Sequence, residues 1–421
     1  MSVANSALQT PPLLFLLAVA GFSSVASTRL CDAMLPALAR SFATSPAQAS
    51  AAISSYAVAY GLMQWVYGPL GDRFGKPRVI LLALAWCALG TAAAALAKSL
   101  DALVLARAAM GAGAAAVVPL SVAWIGDTVP LAQRQQVLAR YSSFTVCGMV
   151  LGPLLGGLMA EFLSWRGAFM VLAPLLAAIC LALLLRPRTA TGHATGPEAT
   201  AVRGPACSPP PGAAPQTRRP AYRQQLKALL SDRWSLAVMA ASFLEAVLAI
   251  GSLAFVPTVL HAQLGLSLLA GGAITALFGA GGFAFSRSAA RMLRCLRAPD
   301  MPRVAGLILA LAYALLALMP HWSFAVLGCL LAGFGFFTLH NTLQVNATQL
   351  SADATGLAVS LFSACNFTGQ SLGVALGATL LARVGHGWIF SFASLGLLLL
   401  GLGLSRGLHA RLAAPSSQRV A

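Results

Sequence analysis

Residues 68–78 read Gly-Pro-Leu-Gly-Asp-Arg-Phe-Gly-Lys-Pro-Arg and stand between two long apolar stretches, 49–70 and 78–98. The glycines permit a tight turn at this point. Asp72 can cap the helix that follows or pair with a basic group on a neighbouring helix. Each apolar stretch has about the 20 residues that an α-helix needs to cross a bilayer. We therefore predict two membrane-spanning helices joined by a short, positively charged turn.

The rest of the chain repeats this pattern of apolar stretches and short polar breaks. Of its 421 residues, 58% are hydrophobic and only 9% are charged, which is too little polar surface for a soluble domain. The composition predicts an all-α, multi-pass membrane protein of twelve transmembrane helices embedded in a lipid bilayer. The expected spans are 12–37, 49–70, 78–98, 101–124, 136–160, 166–186, 233–257, 268–287, 303–320, 322–346, 355–382 and 386–405.

The positive charges are distributed unequally between the two sides of these spans. Of the 27 Lys and Arg residues, 21 fall on the side that carries both chain ends, and only four on the other side: Arg40, Lys98, Arg166 and Arg383. Basic residues mark the cytoplasmic side of a membrane. We therefore expect both termini in the cytoplasm of a bacterial-type inner (plasma) membrane. The net charge of +17 reflects this topology, and nucleic-acid binding is not expected.

One segment, residues 188–232, interrupts the series of spans. It is rich in Pro, Gly, Thr and Arg, a composition typical of a disordered cytoplasmic linker. It separates an N-terminal six-helix half, residues 1–187, from a C-terminal six-helix half, residues 233–421. Two six-helix halves related by an axis along the membrane normal are a known plan of solute transporters. We expect a monomer that binds a small-molecule substrate.

Three motifs along residues 68–157 together resemble a known family. The loop at Gly68, Asp72, Arg73, Gly75 and Lys76 is similar to the signature G-x-L-x-D-R-x-G-R-[KR] of the major facilitator superfamily, with Lys76 in place of Arg and Pro77 in place of the second basic residue. Residues 105–113, Leu-Ala-Arg-Ala-Ala-Met-Gly-Ala-Gly, resemble the R-x-x-q-G-x-g pattern of the same family. The resemblance implies a major-facilitator-type fold. Pairing of Asp72 with a basic group on a neighbouring helix would also make the loop a conformational latch that holds one conformation closed to the cytoplasm. A plain positive hairpin is the alternative interpretation.

The third motif resembles that of the family's antiporters, G-x-x-x-G-P-x-x-G-G. Its residues here are Gly148, Gly152, Pro153, Gly156 and Gly157. This similarity favours the twelve-helix drug/proton antiporter branch. Glycines repeated every four residues also leave one helix face bare, so a neighbouring helix can approach closely. We expect this segment to be a helix-packing motif.

Ionisable residues inside spans are costly in hydrocarbon and are candidates for function. Asp32, in a D-x-x-x-P sequence similar to that of the drug antiporters, and Arg107 both lie near the outer ends of their spans and could meet. Glu245 lies near the middle of its span, where reversible protonation would suit proton coupling. For Asp32 the alternative is local neutralisation by Arg29, and for Glu245 it is a permanent hydrogen bond to a neighbouring helix.

Polar residues repeated at helical spacing mark candidates for a substrate cavity. Facing a central cavity is one explanation of this spacing, and hydrogen bonding between helices is the other. His340 is expected to form hydrogen bonds in the cavity rather than to bind metal or carry a proton. The candidates are Tyr56, Tyr60, Gln64, His340, Asn341, Gln344, Asn366 and Gln370.

No cofactor, metal site or catalytic site is expected. The eight cysteines show no metal-ligand spacing, and the Gly-rich segments lack the context of a phosphate loop or a dinucleotide fold. The sequence therefore predicts a secondary active transporter, a proton-coupled exporter of amphipathic or drug-like molecules that works by alternating access. One alternative is a proton-driven importer or a facilitator of sugars or other metabolites. An alternative of another class is a non-transporting membrane receptor or assembly partner.

Overall fold

The structure, a computed structural model, describes residues 12–185, 222–351 and 355–413, and the elements in these ranges are helical. Twelve long helices run through the described residues, as predicted. They are α1 Leu13–Ser41, α2 Ala51–Phe74, α3 Lys76–Ala95, α4 Leu100–Thr128, α5 Leu131–Phe162, α6 Trp165–Leu184, α7 Arg233–Leu264, α8 Leu268–Cys295, α9 Met301–Leu318, α10 Trp322–Thr348, α11 Thr355–Arg383 and α12 His386–Ala413.

All twelve helices have the length that a bilayer requires. Ten spans among the described residues are both long and apolar enough to cross it. The other two, α2 and α11, have 24 and 29 residues. At a rise of 1.5 Å per residue each exceeds the hydrocarbon thickness of roughly 30 Å. Polar residues lower their hydropathy, among them Asp72 and Arg73 in α2 and Asn366 and Gln370 in α11.

The turn between α2 and α3 is tighter than the sequence suggested. The predicted loop at residues 68–78 is almost entirely helical, because α2 continues to Phe74 and α3 begins at Lys76. Gly75 alone makes the turn, with a φ of 87° that only glycine adopts readily. Asp72 therefore lies in the last turn of α2 and does not cap α3.

The first helix of each half is interrupted at a corresponding place. In α1 a 3₁₀ turn spans Asp32–Met34, and Pro36 stands at the start of the helical segment that follows. In α7 the final segment, Val256–Leu264, likewise has Pro257 in its first turn. Proline lacks an N–H and is tolerated there, whereas it disrupts the turn that precedes it. Both helices are therefore interrupted near the contact between the two halves.

The apolar core consists of two clusters, one mainly in the first half and the other in the second. In the first half, α1 packs on α5, α2 on α4, and α3 on α4 and α6; in the second half, α9 packs on α10 and α12, α8 on α10, and α7 on α11. The principal contacts between the halves are α5 with α8 and α2 with α11. Two helix pairs therefore connect the two halves.

The halves meet on one side of the molecule and diverge on the other. We call the end at which the chain enters and leaves the segment 186–221 the linker side, and the opposite end the far side. Between α5 and α8 the contacts run from Gly157 near Leu268 to Val150 near Gly279, which covers the far-side half of these helices. Between α2 and α11 they include the hydrogen bond from Ser371 to the Ser54 carbonyl. The structure is therefore closed at the far side.

Toward the linker side, side chains on these same helices are exposed. Leu62 and Val66 of α2 are 62% and 44% accessible, and Phe283 of α8 is 52% accessible. A Cβ at Gly68 would contact nothing within 4 Å. Since the contacts between the halves lie toward the far side, we infer that the cleft between them opens to the linker side.

The end of the predicted linker differs from the expectation. Residues Tyr222–Ser231 form a helix with one apolar face, from which Leu229 is buried against the protein. Asp232 then caps α7 by accepting hydrogen bonds from the backbone N–H and the hydroxyl of Ser235, both at 2.7 Å. A disordered chain was therefore the wrong prediction for residues 222–231. The rest of the segment, 188–221, lies outside the described residues.

Candidate functional site

A carboxylate and an imidazole meet inside the second half. Glu245 on α7 is fully buried, and its Oε2 lies 2.9 Å from Nδ1 of His340 on α10. The side chain of His340 is 22% accessible, so the pair has contact with the surroundings through the imidazole. The other carboxylate oxygen, Oε1, is buried with no hydrogen-bond partner among the described residues. The arrangement can hold a proton on either residue.

Aromatic rings fix the orientation of His340. The ring of Phe336, one turn earlier on α10, stacks on it with centroids 5.1 Å apart and an interplanar angle of 15°. Phe362 of α11 lies on another side, 5.2 Å from the imidazole. These rings exclude water from most of the imidazole and lower the local dielectric. A charge on either member of the pair is therefore felt strongly by the other.

The backbone directly after Glu245 has an unusual conformation. Residues Ala246–Ile250 form a π-helical turn, and the hydroxyl of Tyr313 donates a 2.6 Å hydrogen bond to the carbonyl of Ala249 within it. Such turns are rare and occur often at functional sites. On the opposite face, α11 approaches so closely that a Cβ at Gly373 would lie 2.3 Å from the Val247 carbonyl oxygen. The segment that carries Glu245 is therefore held on two sides.

A second buried ion pair lies at the far side of the first half. Asp32 is fully buried, and its Oδ2 lies 2.9 Å from Nε of Arg29. Arg107 instead donates hydrogen bonds of 3.0 Å to the carbonyls of Ala52 and Ser27. The described residues thus pair Asp32 with Arg29, the alternative that the sequence offered, and not with Arg107.

Arg107 has a structural environment of its own. Its guanidinium lies 4.3 Å from the ring centroid of Tyr56, a cation–π contact. It joins α4 to α1 and α2 and is fully buried, with Nη2 unpartnered among the described residues. A buried cation with carbonyl and aromatic partners stabilises the contact of three helices.

The Arg29–Asp32 pair lies where the two halves touch. The 3₁₀ turn that contains Asp32 packs against both α7 and α8. A Cβ at Gly272 of α8 would lie 3.4 Å from the Cβ of Ala33. Closure of the far side therefore buries this ion pair, and any separation of α1 from α8 would expose it to water.

The glycine motif of α5 serves two neighbours. Cβ atoms at Gly148, Gly152 and Gly156 would lie 2.4, 2.7 and 2.1 Å from carbonyl oxygens of α1, so these glycines allow backbone contact between α1 and α5. Gly157 faces the other way, where a Cβ would lie 2.4 Å from the Leu268 carbonyl oxygen of α8. The carbonyl oxygen of Pro153 lies close to Gly272 of α8. One helix thus joins the two halves.

The predicted substrate-cavity residues on α2 are buried between helices. The hydroxyl of Tyr56 donates to the Ser24 carbonyl at 3.2 Å, and Gln64 donates to the Ala115 carbonyl at 3.5 Å. Tyr60 stacks on Phe367 of α11 with centroids 3.9 Å apart. In this conformation Tyr56, Tyr60 and Gln64 contact neighbouring helices, in agreement with the alternative that such polar residues join helices.

The candidates on α10 and α11 divide among different surroundings. Asn366 donates to the Ser242 carbonyl at 3.4 Å, near the Glu245–His340 pair, and Gln370 is buried. Gln344 is exposed. Asn341 lines a cavity of about 420 Å³ at the linker side of the second half. The structure therefore does not gather the eight candidates around one site.

At the linker side of the first half, the latch residues form an ion pair that joins two helices. Nζ of Lys76 forms a short contact with the carboxylate of Asp127 in the last turn of α4. Asp72 lies 3.8 Å from the same ammonium group. Nothing local in the sequence indicated Asp127, because it is 51 positions away from Lys76.

The fold and these sites define a class of protein. Two six-helix halves around a cleft that opens on one side, with buried ionisable pairs at helix contacts, are the architecture of a secondary membrane transporter. The chain belongs to the Major Facilitator Superfamily, whose family model matches residues 17–373. The predicted fold class and family are confirmed, and so is the expectation of a transporter rather than an enzyme.

Individual relatives agree with this assignment. The chain is 33% identical over 177 residues to the putative multidrug resistance protein MdtD of Escherichia coli strain K12, a match that covers 41% of this chain and 37% of that protein. The match thus spans little more than a third of the relative's length. It indicates a multi-pass membrane protein with multidrug-related homology.

Solved structures show the same fold across nearly the whole chain. A D-xylose–proton symporter has a TM-score of 0.72 at 14% identity and covers 93% of this chain and 96% of its own. A bacterial homolog of the human lysosomal transporter Spinster, in an inward-facing and unoccupied conformation, has a TM-score of 0.70 at 17% identity. The alignment covers 95% of this chain and 94% of that chain. The human organic anion transporter MFSD10 has a TM-score of 0.66 at 19% identity, and the alignment covers 94% of this chain and 100% of that chain.

Proposed function

We propose that this protein exports small amphipathic or drug-like molecules across a bacterial inner membrane in exchange for protons. The observation that carries the proposal is the buried Glu245–His340 pair, a titratable couple held at mid-membrane depth between α7 and α10. The similarity to a putative multidrug resistance protein supports export over import. The basic residues on the linker side support a cytoplasmic location for that side and for both termini.

Charge explains how such a pair would couple proton movement to conformation. With one proton shared between the two residues the pair has no net charge, whether the proton lies on the carboxylate or on the imidazole. Loss of that proton leaves a net negative charge in a low-dielectric surrounding, which is costly. Deprotonation is therefore favoured only while the cleft admits water or a bound substrate supplies compensating charge.

The conformation described above supports one step of an alternating-access cycle. With the far side closed and the cleft open to the linker side, substrate enters from the cytoplasm as the pair releases its proton. Opening of the far side then requires α5 and α2 to separate from α8 and α11. This movement carries the Arg29–Asp32 pair into contact with water, where Asp32 becomes a second group able to take up a proton.

The proposal is tested in proteoliposomes with an imposed pH gradient and a fluorescent internal pH indicator. Addition of candidate drug-like substrates to wild-type protein should produce a substrate-dependent proton flux. Glu245→Gln should abolish this flux while retaining substrate counterflow, because the amide can still bond to His340 but cannot release a proton. Asp101→Asn, which changes an exposed far-side carboxylate, is the matched control and should behave as wild type.

Two results would contradict the proposal. If Glu245→Gln and Asp32→Asn both transport at wild-type rates with unchanged pH dependence, neither carboxylate couples transport to protons. If everted vesicles expel substrate rather than accumulate it, the protein is an importer, the second candidate that the fold allows. A screen of ligand-induced thermal stabilisation identifies the compounds to use, since a ligand that binds the folded protein raises its Tm.

A further inference from the structure

We propose that the linker side of the second half contains a separate binding site for an amphipathic monoanion. A cavity of about 420 Å³ lies there between the first turn of α7, the last turns of α10 and α12, and the connection from α8 to α9. Its volume is within the range of about 300–1,000 Å³ that small-molecule sites occupy. Neither Glu245 nor His340 lines this cavity.

The walls of the cavity suit a ligand with an apolar body. Trp234 supplies an indole ring, and Val345 and Leu408 supply aliphatic surface. Three carboxamide side chains from one face of α10 provide hydrogen-bonding groups between these apolar walls: Asn341, Asn346 and Gln349. A mainly apolar pocket with a few polar groups is the usual composition of a small-molecule site.

The charge at the cavity selects an anion. Among the described residues that line it, Arg411 is the one charged side chain, and its guanidinium lies 5.0 Å from the ring centroid of Trp234. Stacking on the indole holds the guanidinium in place, and its planar edge can form paired hydrogen bonds with an anion. A carboxylate or a sulfonate matches that edge.

Two acidic residues near the cavity have hydrogen-bond partners outside its lining. Asp300 lies 2.9 Å from His409, and Asp232 caps α7. Burial would raise the pKa of Asp232, but hydrogen bonds from Ser235 and the backbone, with the charge of Arg411, lower it below its ordinary value. Asp232 is therefore ionised at neutral pH. Arg411 thus remains the one charged side chain among the described residues of the lining, and it suits a single anionic group.

The cavity is distinct from the proposed transport site. His340 and Gln344 lie on one face of α10, whereas the cavity-lining residues lie on another, since consecutive residues are separated by about 100°. On α7, Glu245 lies eleven positions beyond Trp234, which corresponds to roughly 16 Å along the helix. An occupant would instead bridge α7, α10 and α12 at the linker side.

Binding of three water-soluble probes of one shape and different charge tests the inference. We expect isothermal titration of the purified full chain to show the highest affinity for 2-naphthoate, a lower affinity for neutral 2-naphthamide and the lowest for 2-naphthylmethylammonium. Arg411→Gln should weaken naphthoate binding about tenfold or more, the loss typical of one charge-assisted contact, and leave naphthamide binding unchanged. Arg406→Gln, on an exposed position of the same helix, is the matched control.

A second variant locates the probe. Val345→Trp, which fills the cavity, should prevent binding of naphthoate, whereas Glu245→Gln should leave it intact. Equal affinities for the three probes, or naphthoate binding that Arg411→Gln does not weaken, would overturn the inference. So would naphthoate binding that survives Val345→Trp and is lost in Glu245→Gln, because that result would put the anion in the transport cleft.

Discussion

Replacement of Gly156 by alanine is the sharpest test of the packing between α1 and α5. A methyl group there would lie 2.1 Å from the carbonyl oxygen of Leu30, against an ordinary contact of 3.4 Å or more. The two helices must therefore separate by about 1 Å at this level. Both partners are backbone or Cβ atoms, so no flexible side chain can absorb the overlap. Overpacking of this kind costs about 1–3 kcal/mol.

The same displacement has a functional consequence, because Leu30 lies between Arg29 and Asp32. Gly156→Ala should lower the Tm of the detergent-purified protein by several degrees and reduce substrate-dependent proton flux in proteoliposomes. Gly403→Ala is the matched control: it lies inside α12, and its Cβ would contact nothing within 4 Å. Alanine at that position should be neutral or slightly stabilising. If both variants show the same Tm, the close approach of α1 and α5 at Gly156 does not exist.

Three other outcomes are expected. Lys76→Asp should impair transport because it puts like charges beside Asp127, and the double variant with Asp127→Lys should recover part of the activity; no recovery would refute the pairing. Asp232→Ala should destabilise the start of α7 by about 1 kcal/mol, measured as lower resistance to proteolysis there. Because folding lowers the pKa of Asp232, this stabilisation is present at neutral pH and is lost as the pH falls through the lowered pKa, a dependence that Asp232→Asn should remove. The single variant Arg29→Gln should destabilise the protein more than the double variant with Arg29→Gln and Asp32→Asn. The single change leaves a buried carboxylate without its partner.

The number of helices and their grouping could be predicted because they depend on local composition. A stretch of about 20 apolar residues crosses a bilayer whatever its neighbours are, so the twelve spans follow from hydropathy and breaks. Helix ends depend on packing as well as on composition. Residues 68–74 contain two glycines and a proline and suggested a loop, yet they continue α2, because a membrane helix tolerates such residues where its neighbours pack against it.

The contacts that matter for function depend on tertiary structure. Glu245 and His340 were each identified as candidates from their polarity within apolar spans, but 95 positions separate them and no periodicity connects them. The partner of Asp32 was open for a different reason: Arg29 and Arg107 were both within plausible reach, and only the rotation of α1 decides between them. The sequence did not indicate Asp127 as the partner of Lys76, because acidic residues at helix ends are common on solvated surfaces.

The π-helical turn at Ala246–Ile250 has a geometric consequence for the whole of α7. A π turn contains one more residue than an α turn closes, so every side chain beyond Ile250 is rotated by about 100° from the position that an unbroken α-helix would give it. The stripe that carries Trp234, Val238 and Glu245 toward α10 therefore ends at this turn. Beyond it, another set of side chains faces the contact with the first half. A single additional residue thus allows different faces of α7 to contact α10 before the turn and the first half after it.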